Sequence, residues 1–386
     1  MIKLKKIAII GAGEFQLPLI KKAKLLGFET HVFSWEQGAA GKGSADYFYP
    51  VSITEKEKIL NQCKKIKPEG IVTIASDLAN ITVQYVAEKL NLVTNSKQCI
   101  RVTTDKYLMR VALSRKGTPT PKFAKFNTIP NNEELKHFSL PIIVKPTDRS
   151  GSRGITKLDS FSEKKLTKAF SVAQKDSFDN SVIIEEFVDG IEYSCESVSY
   201  DGKHHILGIT RKFTTGSPNF IEKGHIAQAN LPEKIVKEIH AAIPTALDCL
   251  GVEYGPSHSE FKITNSEEIR IIEVGSRMGG DYIGSDLVPL STGYDFLRMT
   301  IDIATGKKLE IENTIEQYPY CAIRFSVSDQ DSSLLRQLEL KHSEKMKSEL
   351  VLSKSDHVID SSSRKGSLIA VFDKYDEALK MLELSD

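Results

Sequence analysis

Two glutamates, Glu260 and Glu273, lie on either side of a polar turn in a stretch rich in Phe and Ile, which is the composition of a β-hairpin. With the turn centred on residues 265–268, their side chains face each other on one side of the sheet, with about 5 Å between the Cβ atoms. Facing carboxylates repel each other, and carboxylates together with substrate phosphates commonly hold Mg2+. Arg277 would carry a permanent positive charge to the same place. The spacing therefore predicts a site for Mg2+ or Mn2+ at the two glutamates.

A lysine followed by a loop of small residues forms a second candidate site. Lys145 ends an apolar strand, and Ser150, Gly151, Ser152 and Gly154 follow it. Small residues leave backbone amides open, and such amides together with a lysine charge can cradle a triphosphate. The same composition is also typical of an ordinary hairpin loop, which is the alternative interpretation.

The elements that would position these residues change in type along the chain. Strands and helices alternate over residues 6–98, which predicts a parallel, doubly wound sheet. Ligands of such sheets gather at the carboxyl ends of the strands, where Gly11, Gly13 and Asp77 lie. The pattern Gly11-x-Gly13 leaves a nicotinamide-dependent oxidoreductase as an alternative, although Gln16 occupies the position of the third glycine.

The rest of the chain predicts mixed α+β structure. The expected strands after residue 106 cover 122–126, 142–145, 154–157, 182–185, 322–327 and 367–372, and the expected helices cover 233–250 and 375–384. The chain has 386 residues, which exceeds one ordinary core and suggests two or three domains.

Charge and composition exclude several classes of partner. The 52 basic and 51 acidic residues balance, so no uniform field recruits nucleic acid or an anionic membrane. No segment has the apolar length needed to span a bilayer. The five cysteines are scattered and indicate neither a zinc site nor a disulfide framework. A small-molecule partner and a cytoplasmic location are therefore expected.

In their order, these features resemble the ATP-grasp superfamily of carboxylate-amine ligases. The metal signature of that family is a Glu on one strand and Glu-x-Asn-x-Arg on the next, which corresponds here to Glu260 and to Glu273-Val-Gly275-Ser-Arg277. The Asn is replaced by Gly275, which has no side-chain oxygen. Either water or Ser276 completes the metal shell, or one ion is held less tightly than in relatives.

The resemblance implies roles for further residues. Lys106 and Lys145 would bind the phosphates of ATP, together with the loop of small residues. Glu185, Glu186 and the backbone at Val188 would address the adenine, and Glu192 the ribose hydroxyls.

A second substrate would bind beyond the metal signature. Arg277, Gly279 and Gly280 correspond to the segment that holds the activated carboxylate in similar ligases. His258 alternates with Glu260 and points to the same side of the strand, where it would orient substrate or a metal-bound water. His225 lies in a polar segment, also containing Lys212 and Glu222, that would close over the substrate; a structural role for either histidine is the alternative.

The implied fold is multidomain, with α/β and α+β parts. It comprises an N-terminal Rossmann-like domain over 1–100, an ATP-grasp domain of two α+β subdomains over 101–310 with a lid at about 117–190, and a small C-terminal α+β extension over 311–386. The implied function is ATP-dependent joining of a carboxylate, such as that of an amino acid, to an amine through an acyl phosphate. Activation of bicarbonate or formate, and nucleotide sensing without chemistry, are alternatives. Related ligases are often dimers, so a homodimer is also considered.

Overall fold

A computed structural model describes residues 5–217, 220–352, 358 and 360–383. Its first part contains four strands and five helices. These are β1 (Lys5–Ile10), α1 (Leu17–Leu25), β2 (Phe28–Ser34), β3 (Tyr47–Pro50), α2 (Lys56–Ile66), β4 (Gly70–Val72), α3 (Asp77–Lys89), α4 (Lys97–Thr104) and α5 (Lys106–Arg115). The strands form a parallel sheet in the order β3-β2-β1-β4. The predicted parallel sheet is confirmed, and β1 carries the continuous buried apolar run that such sheets require. Strand β3 was not predicted, because it is short, lies at the edge and ends in a proline.

The middle of the chain forms a small sheet backed by a helix. Its elements are β5 (Phe123–Phe126), α6 (Asn132–Leu135), β6 (Ile142–Pro146), β7 (Thr156–Leu158), α7 (Glu163–Asp176) and β8 (Val182–Glu186). The strands are antiparallel in the order β5-β8-β6-β7. Helix α7 turns one apolar face toward the sheet, where Leu166 and Phe170 pack with Ile142, Val144 and Ile184. This packing fixes the end of β6, which carries Lys145.

The remaining strands form one antiparallel sheet of eight. The elements of this part are β9 (Ile191–Tyr200), β10 (Lys203–Thr214), β11 (Glu222–Ala227), α8 (Glu233–Leu250), β12 (Gly255–Ile263), β13 (Ile269–Gly275), α9 (Val288–Thr292), α10 (Phe296–Ala304), β14 (Tyr320–Ser326), α11 (Asp329–Lys341), β15 (Val351–Leu352), β16 (Gly366–Phe372) and α12 (Tyr375–Glu383). The strand order is β13-β12-β9-β10-β11-β14-β16-β15, so the last three strands extend the sheet that β9–β13 begin. The predicted end of the last helix at residue 384 lies outside the described residues. The predicted domain limits remain predictions.

The register of the β12–β13 hairpin places Glu260 opposite Glu273, as predicted. Two offsets produce this result. Ile263 pairs with Ile269, so the centre of the turn lies half a residue closer to the N-terminus than expected. A β-bulge at Ile272 then adds one unpaired residue to β13, which restores the predicted pairing of the two glutamates. The carbonyl of the bulged residue accepts a hydrogen bond from Nη2 of the buried Arg110 at 2.5 Å. The bulged residue Ile272 also lines the cleft, so the bulge forms part of the cleft wall.

The parallel sheet is packed closely against the rest of the molecule. Gly70, in β4, lies against the carbonyl of Ala304 at the end of α10, and a Cβ at residue 70 would overlap that oxygen. The backbone N–H of Ala75 also donates to the carbonyl of Met278 at 3.1 Å. The first contact packs the start of β4 against α10, and the second joins the segment after β4 to the segment after β13. Among the described residues, no helix is long and apolar enough to cross a membrane.

We expect Gly70→Ala to lower the free energy of unfolding by about 1–3 kcal/mol, because the added methyl group must displace helix backbone. Urea unfolding followed by circular dichroism would measure the change. Gly43→Ala is the matched control: nothing lies within 4 Å of its added Cβ, so its effect should stay within about 0.5 kcal/mol. Equal stabilities of the two variants would contradict the close packing of β4 against α10.

Candidate active site

One cleft between the small sheet and the eight-stranded sheet collects most of the predicted site residues. The predicted residues that line it are Lys106, Lys145, Ser150, Gly151, Ser152, Glu185, Glu186, Val188, Glu192, His258, Glu260, Glu273 and Arg277. The walls also include Phe187, which lies beside Val188 in the segment expected to hold the adenine. They further include Arg149, Lys212, Glu222 and Lys262, none of which the sequence assigned to a nucleotide or metal site. Gly154, His225, Gly279 and Gly280 are not among the lining residues.

A buried ion-pair triad stands at one end of the cleft. The Nζ atom of Lys145 lies 2.6 Å from one carboxylate oxygen of Glu185, and the Nε atom of Arg110 lies 2.7 Å from the other. Burial lowers the pKa of Lys145, and the Glu185 carboxylate offsets only part of that effect. Burial alone would raise the pKa of Glu185, but the charges of Arg110 and Lys145 outweigh it and lower the pKa. A polyanion beside Lys145 would supply the second negative charge that this site can accommodate.

The loop of small residues after β6 depends on left-handed backbone. Gly151, Ser152 and Gly154 have φ angles of +70°, +59° and +69°. The Ser152 hydroxyl donates to the carbonyl of Phe220 at 3.1 Å, which joins the loop to the segment before β11. A Cβ at Gly154 would lie 3.0 Å from Pro146. Gly154 therefore lets the loop pack closely against Pro146, although it does not itself line the cleft.

The segment after β8 forms an apolar wall flanked by positive charge. The Phe187 ring has the Nζ atoms of Lys157 and Lys262 over it, at 4.3 and 4.6 Å from its centroid. Lys262 also donates to the carbonyl of Val188 at 3.1 Å. The Glu186 carboxylate accepts the backbone N–H of Ser139 at 2.8 Å, so this side chain holds a neighbouring loop. Such a wall suits a flat heterocycle that carries phosphates.

Two lysines neutralise the opposed carboxylates at the other end of the cleft. Lys212 Nζ lies 2.5 Å from Glu260 and 3.0 Å from Glu192. Lys106 Nζ lies 2.8 Å from Glu273. Burial alone would raise the pKa of Glu260, but Lys212 and His258 outweigh it and hold the pKa well below its usual range. The positive charge that facing carboxylates require comes from lysines on two distant elements, β10 and α5.

The donor set at this end fits a divalent cation bound together with phosphate. Glu260 and Glu273 provide two carboxylates that face each other across the hairpin. Within the described part of the chain, no group of three or more His, Cys, Asp or Glu side chains has the geometry to hold a metal by itself. Mg2+ commonly takes one or two carboxylates and completes its shell with substrate phosphate and water. The residues present therefore suit a metal that arrives with its nucleotide.

Arg277 is held by a carboxylate from the parallel-sheet part of the molecule. Its Nε and Nη2 atoms donate to the two carboxylate oxygens of Asp77 at 2.8 and 3.0 Å. Burial would raise the pKa of Asp77, but the Arg277 charge outweighs it and the pKa is lowered. A Cβ at Gly275 would lie 3.2 Å from Arg277 Cζ and 3.3 Å from an Asp77 oxygen. The glycine at the position of the expected Asn thus leaves room for this pair.

The two candidate histidines differ in location. His258 lies between two carboxylates, with Nδ1 bonded to Glu196 and Nε2 3.2 Å from Glu260. Burial favours the neutral ring, but Glu196 and Glu260 raise the pKa of His258 to about 9. His225 lies outside the cleft lining, where Nε2 is 3.2 Å from Asp281. Burial lowers the pKa of His225.

The glycine-rich turn after β1 is filled by its own neighbour. The Gln16 side chain accepts the N–H of Gly13 at 3.0 Å and donates to the carbonyl of Ile74 at 2.8 Å. Its Cδ atom lies 3.3 Å from the position of a Cβ at Gly11. A dinucleotide pyrophosphate needs this space for close approach to the backbone. The geometry therefore disfavours the nicotinamide alternative.

Residues 138–286 match the family model of the ATP-grasp domain. This match confirms the predicted resemblance for that part of the chain. The predicted fold class is confirmed as well, since the L-amino acid ligase from Bacillus licheniformis superimposes with a TM-score of 0.80 at 23% sequence identity, covering 98% of this chain and 96% of that one.

Curated relatives extend the likeness over most of the chain. The alanine–anticapsin ligase of Bacillus subtilis strain 168 is 25% identical over 314 residues, which is 72% of this chain. A formate-dependent phosphoribosylglycinamide formyltransferase of Prochlorococcus marinus is 27% identical over 196 residues, which is 48% of each chain. This chain spans 66% of the length of the alanine–anticapsin ligase, just under two thirds.

We expect Glu273→Ala to lower the free energy of unfolding in EDTA by about 1–3 kcal/mol, because it leaves the buried ammonium of Lys106 without its carboxylate. If the two glutamates only repelled each other, Glu273→Ala would leave the stability unchanged or slightly higher. The lysine partners reverse that expectation. Adding Lys106→Met to Glu273→Ala should recover part of the loss, with a coupling energy of about 1 kcal/mol in a double-mutant cycle. Unchanged stability of Glu273→Ala would show that the ion pair is unimportant.

Proposed function

We propose that this protein is an ATP-dependent ligase that activates a carboxylate as an acyl phosphate and joins it to an amine. The observation that carries the proposal is that the opposed pair Glu260 and Glu273, the buried lysines Lys106 and Lys145, and Arg277 line one cleft. The carboxylate substrate that we favour is an amino acid or a similar small acid. Two relatives support this choice, since their names describe an alanine–anticapsin ligase and an L-amino acid ligase.

The nucleotide would lie along the cleft from the apolar wall to the carboxylate pair. The adenine would lie against Phe187 and the backbone at Val188, and Glu192 would bind the ribose hydroxyls; all three residues line the cleft. Lys145 and the backbone of residues 150–152 would offset and align the phosphates. Because Lys145 is already buried and held by Glu185, the protein charge that faces the phosphates is in place before the nucleotide binds.

Glu260 and Glu273 would hold Mg2+ or Mn2+, and the ion when bound supplies charge neutralisation to the phosphates. The protein groups have separate tasks. Lys106 and Lys145 balance the charge that moves during transfer of the γ-phosphoryl group to the substrate carboxylate. Closure of the small sheet over the cleft would exclude the water that hydrolyses an acyl phosphate.

Arg277 would act on the substrate carboxylate and on the tetrahedral species formed by amine attack. Asp77 fixes its Nε and Nη2 atoms, while Nη1 makes a long contact of 3.4 Å to the carbonyl of Met278. A guanidinium held on one edge presents its other donors in a fixed direction, which favours stabilisation of developing negative charge. No covalent enzyme nucleophile is needed in this scheme.

Activation of formate or bicarbonate is the second candidate, because a formate-dependent enzyme is among the relatives. The same phosphate and metal residues would serve, and the carboxylate site would be smaller. A homodimer and a cytoplasmic location are further proposals that follow from the resemblance and the composition.

Phosphate release screened over pairs of amino acids tests the proposal. We expect ADP and phosphate to form only with a suitable carboxylate, and hydroxylamine to trap the acyl phosphate as a hydroxamate. Formate and bicarbonate are included as competing substrates. Turnover with either of these and with no amino acid would replace the proposed function by the second candidate.

We expect Arg277→Lys to reduce amide formation by about a hundredfold, comparable to loss of one oxyanion donor. A lysine keeps the charge but loses the fork that pairs with Asp77. Isothermal titration should show nearly unchanged ATP affinity. Arg270→Lys, on the strand that precedes Arg277 and partly exposed beside Glu268, is the matched control and should retain activity. Normal turnover and substrate KM in Arg277→Lys would mean that the arginine only braces its loop.

A further inference from the structure

Glu196 is a fully buried carboxylate on β9 that the sequence analysis did not assign. It has no exposed surface, and its register partner on β12 is His258. One of its oxygens bonds to Nδ1 of His258, and the other accepts the backbone N–H of Gly279 at 3.1 Å. A buried carboxylate is costly unless both oxygens are satisfied. Glu196 meets this condition by binding two separate parts of the molecule.

The imidazole of His258 links Glu196 to the candidate metal site. Nε2 of His258 lies 3.2 Å from the oxygen of Glu260 that Lys212 also contacts. With one ring nitrogen fixed by Glu196, the other is aimed in a set direction. A histidine fixed by one carboxylate and bonded to a metal-binding carboxylate is the kind of outer support that orients metal ligands.

The loop that follows β13 is packed against the same pair. A Cβ at Gly279 would lie 2.7 Å from Glu196 Oε1 and 2.7 Å from His258 Nδ1, which is too close for any side chain. Only glycine therefore lets the loop reach the carboxylate. The loop amide, Glu196, His258 and Glu260 form one continuous chain of contacts.

We propose that Glu196 is a positioning residue that couples the substrate loop at Gly279 to the metal-binding carboxylate of Glu260 through His258. The inference rests on the proposed ligase function. Phosphoryl transfer requires the substrate carboxylate, held by the loop, and the γ-phosphate, held at Glu260, to meet at a fixed separation. A shift of about 1 Å between them can cost about a hundredfold in rate. The contacts of Glu196 with the Gly279 amide and with His258 fix the position of the loop relative to Glu260.

Glu196→Gln tests the coupling with little change in shape. Glutamine keeps one acceptor oxygen but turns an NH2 group toward the other donor, so one of the two anchors is lost. We expect kcat for carboxylate-dependent phosphate release to fall about tenfold or more, with a raised KM for the carboxylate. Mn2+ affinity in the presence of a non-hydrolysable ATP analogue, measured by electron paramagnetic resonance, should fall as well. ATP affinity without metal should change by less than about twofold.

Ser257→Ala is the matched control. Ser257 and Ser197 form the adjacent register pair on β12 and β9, are both fully buried, and share a hydrogen bond of 2.9 Å. Side chains of neighbouring residues point to opposite faces of a strand. This variant should lose thermal stability with kcat, KM and Mn2+ affinity unchanged.

His258→Gln provides a second test that does not depend on the folding of Glu196→Gln. It breaks the link to Glu260 and leaves Glu196 bound to Gly279, so Mn2+ affinity should fall more than the KM for the carboxylate rises. The double variant should be no worse than the worse single variant, because both act through one chain of contacts. Wild-type kcat, KM and Mn2+ affinity in either single variant would overturn the coupling. Absence of carboxylate-dependent phosphate release in the wild type would instead overturn the ligase function, and the Mn2+ titration would still decide the coupling.

Discussion

The structure depends on the balance of charge around two carboxylates that face each other inside a cleft. Glu260 and Glu273 would destabilise their hairpin if they stood alone. Lys212 from β10 and Lys106 from α5 each pair with one of them, so the fold brings two positive charges to the two carboxylates. Under the proposed function, Mg2+ or Mn2+ would bind the same two carboxylates together with the nucleotide phosphates. A site that is neutral before its ligands bind avoids the large cost of burying like charges.

The loop beyond the hairpin is held from several sides, and each contact comes from a different part of the chain. Asp77 binds Arg277 from the end of the parallel sheet, Glu196 binds the Gly279 amide from β9, and Arg364 from the C-terminal part binds Asp281. The glycine that departs from the family signature is explained by the first of these contacts, since a side chain at that position would crowd the arginine. The parallel-sheet part is therefore a structural participant in the site.

Local features of the site could be predicted from the sequence, and long-range partnerships could not. The pairing of the two glutamates followed from the spacing across one turn, although the bulge at Ile272 was not predictable because it depends on a hydrogen bond from the distant Arg110. The limits of α8, Glu233–Leu250, matched the prediction because a proline precedes the helix and a left-handed Gly251 ends it.

The residues that were missed share a cause. Glu196 lies between the small residues Cys195 and Ser197 in a strand whose two faces are both buried, so its local sequence pattern does not reveal its partners. The only signal was an acid in the middle of such a strand, which usually requires a buried partner. The pairing of Asp77 with Arg277 joins residues 200 apart in sequence. His225, predicted to contact substrate, is instead buried against Asp281, which its residue type could not reveal.

In the proposed mechanism, the γ-phosphoryl group of ATP is transferred to a carboxylate in the cleft before the amine reacts. Positional isotope exchange tests this step directly, with ATP that carries 18O in the γ-phosphate and the β–γ bridge and with no amine present. Reversible acyl phosphate formation frees the β-phosphate of ADP to rotate, so 31P NMR should show the bridge label moving into non-bridging positions only when a suitable amino acid is added. Phosphate transfer to amino acids would be contradicted if the label stayed in the bridge with every amino acid that supports net turnover.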